Sequence, residues 1–323
     1  MSAWLGQGRR IHIQEVGPRD GLQVEPVFVP TAEKIALLDA LSALGLAKIE
    51  ATAFVAPQAV PALADADAVL RGMRRVPGVI VSALVPNVRG AARAIEAGAD
   101  ELNLVMSASE THNLSNLRMT RAQSFAALAE VARLARDAGV AVNVSLSCSF
   151  GCPMEGEVPA ATVLDGSRRV VEELGADGLS LCDTTGMAFP PQVEALVRDV
   201  RARWPATTLT LHFHNTRGLG LANVLAAIDA GADRFDAALG GLGGCPYAPG
   251  ATGNVCTEDI VHALGLMGYD CGVNLDGLIA ASRRLPALIG RDTPGQIAKA
   301  GKRLDLHAPS ADFAAIRARA LGR

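Results

Sequence analysis

Short runs rich in β-branched residues alternate with longer Ala- and Leu-rich segments along almost the whole chain of 323 residues. The longer segments, such as residues 31–45, 121–139 and 190–204, have the periodicity of amphipathic helices. Eight of the short runs are predicted to be strands: residues 10–16, 47–53, 78–85, 100–106, 140–148, 177–183, 208–215 and 233–240. Regular alternation of strands and helices predicts a parallel β/α protein.

A weak internal repeat supports the count of strands. The segments EAGADELNL, ELGADGLSL and DAGADRFDA each lead from a predicted helix into a predicted strand. In each, a glycine (Gly98, Gly175 or Gly231) stands where a helix needs a left-handed C-terminal cap. Eight such units predict a (β/α)8 TIM barrel with additional C-terminal helices. A doubly wound sheet remains the alternative, since one sequence does not give the order of the strands.

The composition predicts one large globular unit, because 50% of the residues are hydrophobic and only 20% are charged. We predict a single TIM-barrel domain over residues 1–323, with the barrel at about 10–270 and a helical extension at about 271–323. The net charge is -3, from 30 basic and 33 acidic residues, and the basic residues are dispersed. The sequence therefore does not predict binding to nucleic acid.

No apolar run approaches the roughly 20 residues that cross a bilayer, and the start MSAWLGQGRR is unlike a secretory signal. We therefore expect a cytoplasmic protein that does not contact a membrane. Six cysteines without a disulfide-rich spacing predict free thiols. Cys148 and Cys152 are the nearest pair and could oxidise or bind a metal, although no second pair completes a zinc set.

Two histidines lie near the end of the seventh predicted strand, in LHFHNTRG (211–218). Because side chains alternate across a strand, His212 and His214 are predicted to share one face while Phe213 lies on the other. In a TIM barrel, the residues that carry function lie at the C-terminal ends of the strands. We interpret the pair as ligands of one divalent cation. Two hydrogen-bonded core histidines are the alternative.

The segment GPRDGLQ (17–23) follows the first predicted strand and brings a carboxylate to the same end of the barrel. Asp20 is a candidate metal ligand, although an Asp before Gly21 is also typical of a tight turn. An oxygen donor beside two nitrogens favours Mg²⁺ or Mn²⁺. Arg19 is a candidate for stabilising a developing oxyanion such as an enolate.

Glu50 in the second strand and Asp183 at the end of the sixth are acidic residues in otherwise apolar runs. A buried carboxylate without a partner is costly, so each is expected to pair with Arg19 or another cation, or to face the site.

The segment GGLGGCPYAPGATGN (240–254) follows the eighth strand and lacks the Gly-Lys-Ser/Thr ending of a phosphate loop. Its glycines predict a loop that can close over a ligand. Cys245 is interpreted as an acid/base group, or else as an incidental small residue. Asn254 is either a further metal ligand, through its amide oxygen, or the cap of the helix predicted near Thr257.

Five motifs together strongly resemble the hydroxymethylglutaryl-CoA lyase family of metal-dependent TIM-barrel lyases and related Claisen-type synthases. They occur in family order: EVGPRDGLQ (15–23), IEATAFV (49–55), SLCDTTG (180–186), HFHNTRG (212–218) and GGLGGCPYAPGATGN (240–254). The similarity covers about residues 11–290, and the cysteine loop is its most specific element.

The resemblance implies cleavage of 3-hydroxy-3-methylglutaryl-CoA into acetyl-CoA and acetoacetate, with a divalent metal. The implied metal ligands are Asp20, His212, His214 and Asn254. The resemblance also implies that Arg19 polarises the thioester carbonyl and that Cys245 is the catalytic acid/base. Glu50 and Asp183 would orient substrate and water, and His212 would be both ligand and catalytic residue.

Residues 105–119, Cys182 and Asn215 depart from the animal lyase pattern, which leaves the acyl group open. The alternatives are a lyase of the same mechanism acting on a related 3-hydroxyacyl-CoA, or a Claisen-type synthase using acetyl-CoA and a 2-oxo acid. The cysteine loop and the lack of a long C-terminal regulatory domain argue against the synthase. A non-catalytic CoA- or metal-binding protein would not need this acid/base set. A homodimer is expected.

Overall fold

The computed structural model describes residues 3–244 and 253–322. Its eight strands form a closed parallel barrel in the order β1 to β8, and β8 pairs with β1. The strands are β1 His12–Glu15, β2 Lys48–Ala53, β3 Ile80–Leu84, β4 Glu101–Ser107, β5 Ala141–Ser147, β6 Gly178–Asp183, β7 Thr208–Phe213 and β8 Arg234–Ala237. The (β/α)8 prediction is confirmed, and the doubly wound alternative is wrong because its sheet would have open edges.

Helices surround the barrel, and further helices follow the eighth strand. In the described ranges they are α1 Thr31–Ser42, α2 Ala66–Gly72, α3 Val88–Glu96, α4 Glu110–Leu117, α5 Arg121–Asp137, α6 Ala160–Arg168, α7 Pro190–Arg203, α8 Gly220–Asp229, α9 Thr257–Leu266, α10 Leu275–Ser282, α11 Leu285–Ile289, α12 Ile297–Ala300 and α13 Phe313–Ala320. In the described part of the chain, no helix is long and apolar enough to span a membrane.

The glycines at the repeated joints adopt the left-handed backbone that the sequence predicts. The φ angles of Gly98, Gly175 and Gly231 are +89°, +63° and +99°. A side chain rarely tolerates this conformation, so each glycine lets the chain leave a helix and turn directly into the next strand.

The strands are apolar on the side that packs against the helices and polar on the side that faces the barrel interior. On β5, Val142 and Val144 are buried in the hydrophobic core, whereas Asn143 and its inward neighbours bond to side chains of adjacent strands. A salt bridge of 2.5 Å between Lys48 Nζ and Glu101 Oε1 lies in the same interior. Most TIM barrels fill this space with branched apolar side chains. Here a polar network occupies part of the barrel interior.

Candidate metal centre and active site

A π-helical turn, Gly17–Gly21, carries Arg19 and Asp20 from the end of β1 to the mouth of the barrel. The backbone N–H groups of Arg19, Asp20 and Gly21 all point to the carbonyl oxygen of Val16. This tight turn holds both side chains above the strand end from which they come.

Asp20, His212 and His214 form a cluster in which one donor atom from each lies within 4.8 Å of the others. The Nε2 atoms of His212 and His214 are 3.1 Å apart, and both residues are buried. His212 lies in β7, while His214 lies just beyond it in an isolated bridge with Asn254, so the predicted strand end at 215 was slightly too long. The predicted shared face of the two histidines is confirmed.

Asn254 closes the cluster from the far side of the glycine-rich loop. Its Nδ2 donates to Asp20 Oδ2 at 2.8 Å and to the carbonyl oxygen of Leu242 at 2.9 Å. Both partners are acceptors, so the orientation of the amide is fixed and Oδ1 is directed elsewhere. Oδ1 is buried and has no hydrogen-bond partner among the residues that the structure describes. Asn254 does not cap α9, which begins after Cys256 without a side-chain cap.

Two glycines make this approach of Asn254 possible. A Cβ atom on Gly243 would lie 2.4 Å from Asn254 Nδ2, and one on Gly253 would lie 2.3 Å from the carbonyl oxygen of Gly241. Both have positive φ angles, +102° and +108°. The glycines at the base of the loop are therefore required for the position of the amide. Cys245, the predicted acid/base group, lies outside the described residues.

The donor set fits a divalent cation. A carboxylate and two imidazole nitrogens meet at one place, and beside them Asn254, bonded to Asp20 through Nδ2, has a buried amide oxygen without a partner among the described residues. Two imidazole nitrogens at 3.1 Å repel each other unless a proton or a cation lies between them. Burial and the neighbouring His212 lower the pKa of His214 to about 3, so His214 is a neutral imidazole, which is the form that binds metals.

Arg19 connects the cluster to Glu50. Its Nη1 donates to Asp20 Oδ1 at 2.6 Å, and its Nε donates to Glu50 Oε2 at 2.5 Å. Asn103 Nδ2 donates to the other oxygen of Glu50 at 2.7 Å. The expected pairing of Glu50 with Arg19 is therefore present, and Glu50 holds the guanidinium beside Asp20.

Asp183 at the end of β6 has no cation partner among the described residues. Its Oδ1 accepts hydrogen bonds from the backbone N–H groups of Met187 and Ala188, at 2.7 and 3.0 Å. Its Oδ2 is buried without a partner within residues 3–244 and 253–322. Burial raises the pKa of Asp183 to about 6, and the two N–H donors and nearby His212 and Arg217 lower it by less.

Sequence reasoning missed two carboxylates that support the site. Asp236 in β8 lies 3.2 Å from His212 Nδ1, and it is the register partner of His212. The alternation of side chains along the predicted strand DRFDAALG would have identified it as an acidic residue facing the barrel interior. Glu15 accepts from the N–H groups of Gly17 and Leu239 and from the Thr257 hydroxyl. It joins the Arg19–Asp20 turn to both sides of the glycine-rich loop.

The fold and the donor set define a TIM-barrel protein with a candidate divalent-metal centre at the C-terminal ends of its strands. A family model described as HMGL-like matches residues 10–285, and the chain belongs to this family. The predicted resemblance is thereby confirmed.

Relatives named as lyases match almost the whole chain. The hydroxymethylglutaryl-CoA lyase YngG of Bacillus subtilis is 45% identical, over 89% of this chain and 96% of the relative. The (R)-citramalyl-CoA lyase of Chloroflexus aurantiacus is 41% identical, over 90% of this chain and 95% of the relative. The structure of an HMG-CoA lyase from Acinetobacter baumannii, in complex with coenzyme A and 3-methylmalate, is 51% identical with a TM-score of 0.90, covering 95% and 99% of the two chains.

Proposed function

We propose that the protein is a carbon–carbon lyase that cleaves 3-hydroxy-3-methylglutaryl-CoA to acetyl-CoA and acetoacetate. The observation that carries the proposal is the buried cluster of Asp20, His212, His214 and Asn254 next to Arg19, in a chain whose relatives are named hydroxymethylglutaryl-CoA lyases. These relatives favour a lyase over the Claisen-type synthase. The catalytic unit would be a single barrel domain comprising residues 1–323.

Asp20, His212, His214 and Asn254 would hold a divalent cation, which we propose to be Mg²⁺ or Mn²⁺ because carboxylate and amide oxygens suit these hard ions. When bound, such an ion would lower the pKa of the substrate hydroxyl and so favour its deprotonation.

Arg19 supplies positive charge for the enolate that forms on the thioester when the carbon–carbon bond breaks. A guanidinium has five N–H groups, and those not directed at Asp20 and Glu50 can donate to the carbonyl oxygen. Both carboxylates hold the guanidinium plane in place before substrate arrives, so little reorganisation is needed as the charge develops.

Asp183, at the mouth of the barrel, can gain or lose a proton near neutral pH. Burial raises the pKa of its carboxyl to about 6, and its Oδ2 has no hydrogen-bond partner in the described part of the chain. We propose that this oxygen orients water or the substrate hydroxyl. Cys245, on the loop whose ends lie beside Asn254, is proposed to protonate the carbon of the enolate and release acetyl-CoA.

A related acyl-CoA is the second candidate substrate. One relative is named (R)-citramalyl-CoA lyase, and the Acinetobacter structure contains 3-methylmalate. Citramalyl-CoA also carries a tertiary hydroxyl, so the same residues would serve its cleavage.

The test is cleavage of a panel of 3-hydroxyacyl-CoA esters by the purified protein, with added Mg²⁺ or Mn²⁺ and with a chelator. We expect metal-dependent release of acetoacetate from 3-hydroxy-3-methylglutaryl-CoA and its loss in Asp20→Ala. The matched control is Asp276→Ala, which removes an exposed aspartate paired with Lys302. Metal-dependent release of pyruvate from citramalyl-CoA alone would favour the second candidate, and no cleavage of either ester would refute both.

We also propose that the protein is cytoplasmic and a homodimer. The proposal for a dimer rests on the extra C-terminal helices, which offer surface for association. In α13 no residue is buried, and Phe313 and Ile316 are about half exposed. Light scattering that gives only the monomer mass would contradict it.

A further inference from the structure

Asp236 faces the barrel interior from β8, directly beside His212. The two residues are register partners on neighbouring parallel strands, and Asp236 Oδ2 lies 3.2 Å from His212 Nδ1. The side chains are 12% and 9% exposed. The contact is therefore largely shielded from bulk water and is set by the pairing of β7 with β8.

The contact determines which ring nitrogen of His212 carries the proton. An ionised carboxylate can only accept a hydrogen bond, so Nδ1 must be the donor. In the neutral ring, Nε2 then has a free lone pair. That atom is the one that lies 3.1 Å from His214 Nε2, within the cluster with Asp20.

The two histidines of the cluster differ in this respect. His214 Nδ1 is buried and has no hydrogen-bond partner in the described part of the chain. His212 is thus the member of the pair whose ring is fixed by a carboxylate. A histidine that ligates a metal commonly donates its other N–H to such a group, which fixes the tautomer and strengthens the ligand.

No cation bonds directly to Asp236 among the contacts of the described residues. Below it lies a cavity of about 10 Å³, room for roughly one water molecule, lined by Lys48, Glu50, Glu101 and other polar side chains. Lys48 is bonded to Glu101, and Arg19 is bonded to Glu50 and Asp20. Asp236 therefore directs its oxygen at His212 rather than completing an ion pair of the interior.

We propose that Asp236 is a positioning residue that accepts the Nδ1–H of His212 and presents Nε2 of that ring to the metal. The proposal rests on the metal-dependent function proposed above, but it does not depend on which acyl-CoA is cleaved. Asp236 would not touch substrate, and its effect would pass through His212 alone.

The first measurement is the affinity of the full chain for Mn²⁺ alone, with the free ion quantified by electron paramagnetic resonance. We expect Asp236→Asn and Asp236→Ala to weaken Mn²⁺ affinity about 10- to 100-fold. The control is Asp233→Asn, just before the same strand. The Asp233 carboxylate bonds to Arg201, and its replacement should leave the Mn²⁺ affinity within twofold. Mn²⁺ affinity of Asp236→Asn equal to that of the control would overturn the proposal.

The second measurement needs neither a variant of Asp236 nor a metal. Nitrogen-15 NMR of the metal-free protein, with the His212 signals assigned by their loss in His212→Gln, reports the protonated ring nitrogen. We expect the proton on Nδ1, and a proton on Nε2 alone would overturn the proposal even if Asp236 variants do not fold. Because both measurements omit substrate, a protein whose Mn²⁺ affinity depends on Asp236 but which cleaves no acyl-CoA would refute the proposed function and leave this inference standing.

Discussion

The ends of β1 and β6 both present an aspartate to the mouth of the barrel, yet the two carboxyls have opposite properties. Burial by itself would raise both pKa values above the usual 3.8, but Arg19, His212 and His214 bring the pKa of Asp20 down to about 2. At Asp183, burial prevails and the pKa is raised to about 6. The difference lies in the partners, since one carboxylate faces a cation and the other faces backbone N–H groups.

This difference divides the chemical work of the site. Asp20 remains ionised at any ordinary pH and is suited to bind a cation. Asp183 can gain or lose a proton near neutral pH, which suits acid/base chemistry or the orientation of water. Each prediction below alters one of these partner sets, beginning with the largest expected effect on activity.

Replacing Arg19, the cation beside Asp20, should have the largest effect on activity. Arg19→Gln leaves Glu50 buried without a positive partner, which is expected to cost about 3–5 kcal/mol of unfolding free energy. The loss of the guanidinium should also lower kcat about 10²- to 10³-fold. Urea denaturation and steady-state kinetics measure the two effects. Arg71→Gln breaks an exposed pair with Glu96 and should change the unfolding free energy by less than about 1 kcal/mol. A similar small change in both variants would contradict the role given to Arg19.

The cluster around Asp20 was also more predictable from the sequence than the surroundings of Asp183. His212 and His214 could be placed on one face because strand alternation is a local rule, and Asp20 followed from its place after a strand. Glu50 was expected to pair with Arg19 or another cation, or to face the site, because a buried charge needs a partner, and in the structure it pairs with Arg19. These inferences require only that the barrel be recognised.

Contacts between distant segments could not be read in the same way. Asp236 bonds to His212 because β7 and β8 are neighbours in register, and Glu15 reaches Leu239 and Thr257 across more than 220 positions of sequence. The backbone N–H groups that hold Asp183 depend on the exact path of the loop after β6. A pattern of residue types contains none of this, since it requires the closed three-dimensional fold.

Replacing Asp183 should lower activity less than replacing Arg19 does, and it should raise the unfolding free energy rather than lower it. In Asp183→Asn, the amide oxygen can still accept from Met187 and Ala188, and the charge is gone. Because the folded pKa of Asp183 is raised, the stability linked to this carboxyl is complete below about pH 4 and is lost as the pH rises through about 6. The variant should therefore gain about 1–3 kcal/mol over the wild type at pH 7.5 and almost nothing at pH 4.

Activity of the same variant should fall about 10- to 100-fold, because the group that orients water or substrate has lost its charge. Urea denaturation at pH 4, 6 and 7.5 tests the sign of the linkage. A stability difference that does not change with pH would show that Asp183 is ionised throughout, as Asp20 is, and the contrast between the two ends would fail.

Glu15 separates the effect of partners from the effect of location, and it should give the smallest change in activity. It lies on the β1 side, five residues before Asp20, but its partners are the N–H groups of Gly17 and Leu239 and the hydroxyl of Thr257. Burial raises the pKa of Glu15 to about 7, as expected if partners decide. In Glu15→Gln the amide oxygen keeps the bonds from both N–H groups, and the NH2 group can donate to the Thr257 hydroxyl. We therefore expect kcat to stay within about threefold and the unfolding free energy to gain over the wild type as the pH rises from 4.5 to 7. Glu15→Ala leaves two buried N–H groups unpaired and should lose stability at every pH, by about 1–3 kcal/mol for each group. If the glutamine variant lost as much unfolding free energy as the alanine variant, the negative charge of Glu15 would be stabilising. Location near Asp20, rather than hydrogen-bond partners, would then determine the ionisation of these carboxyls.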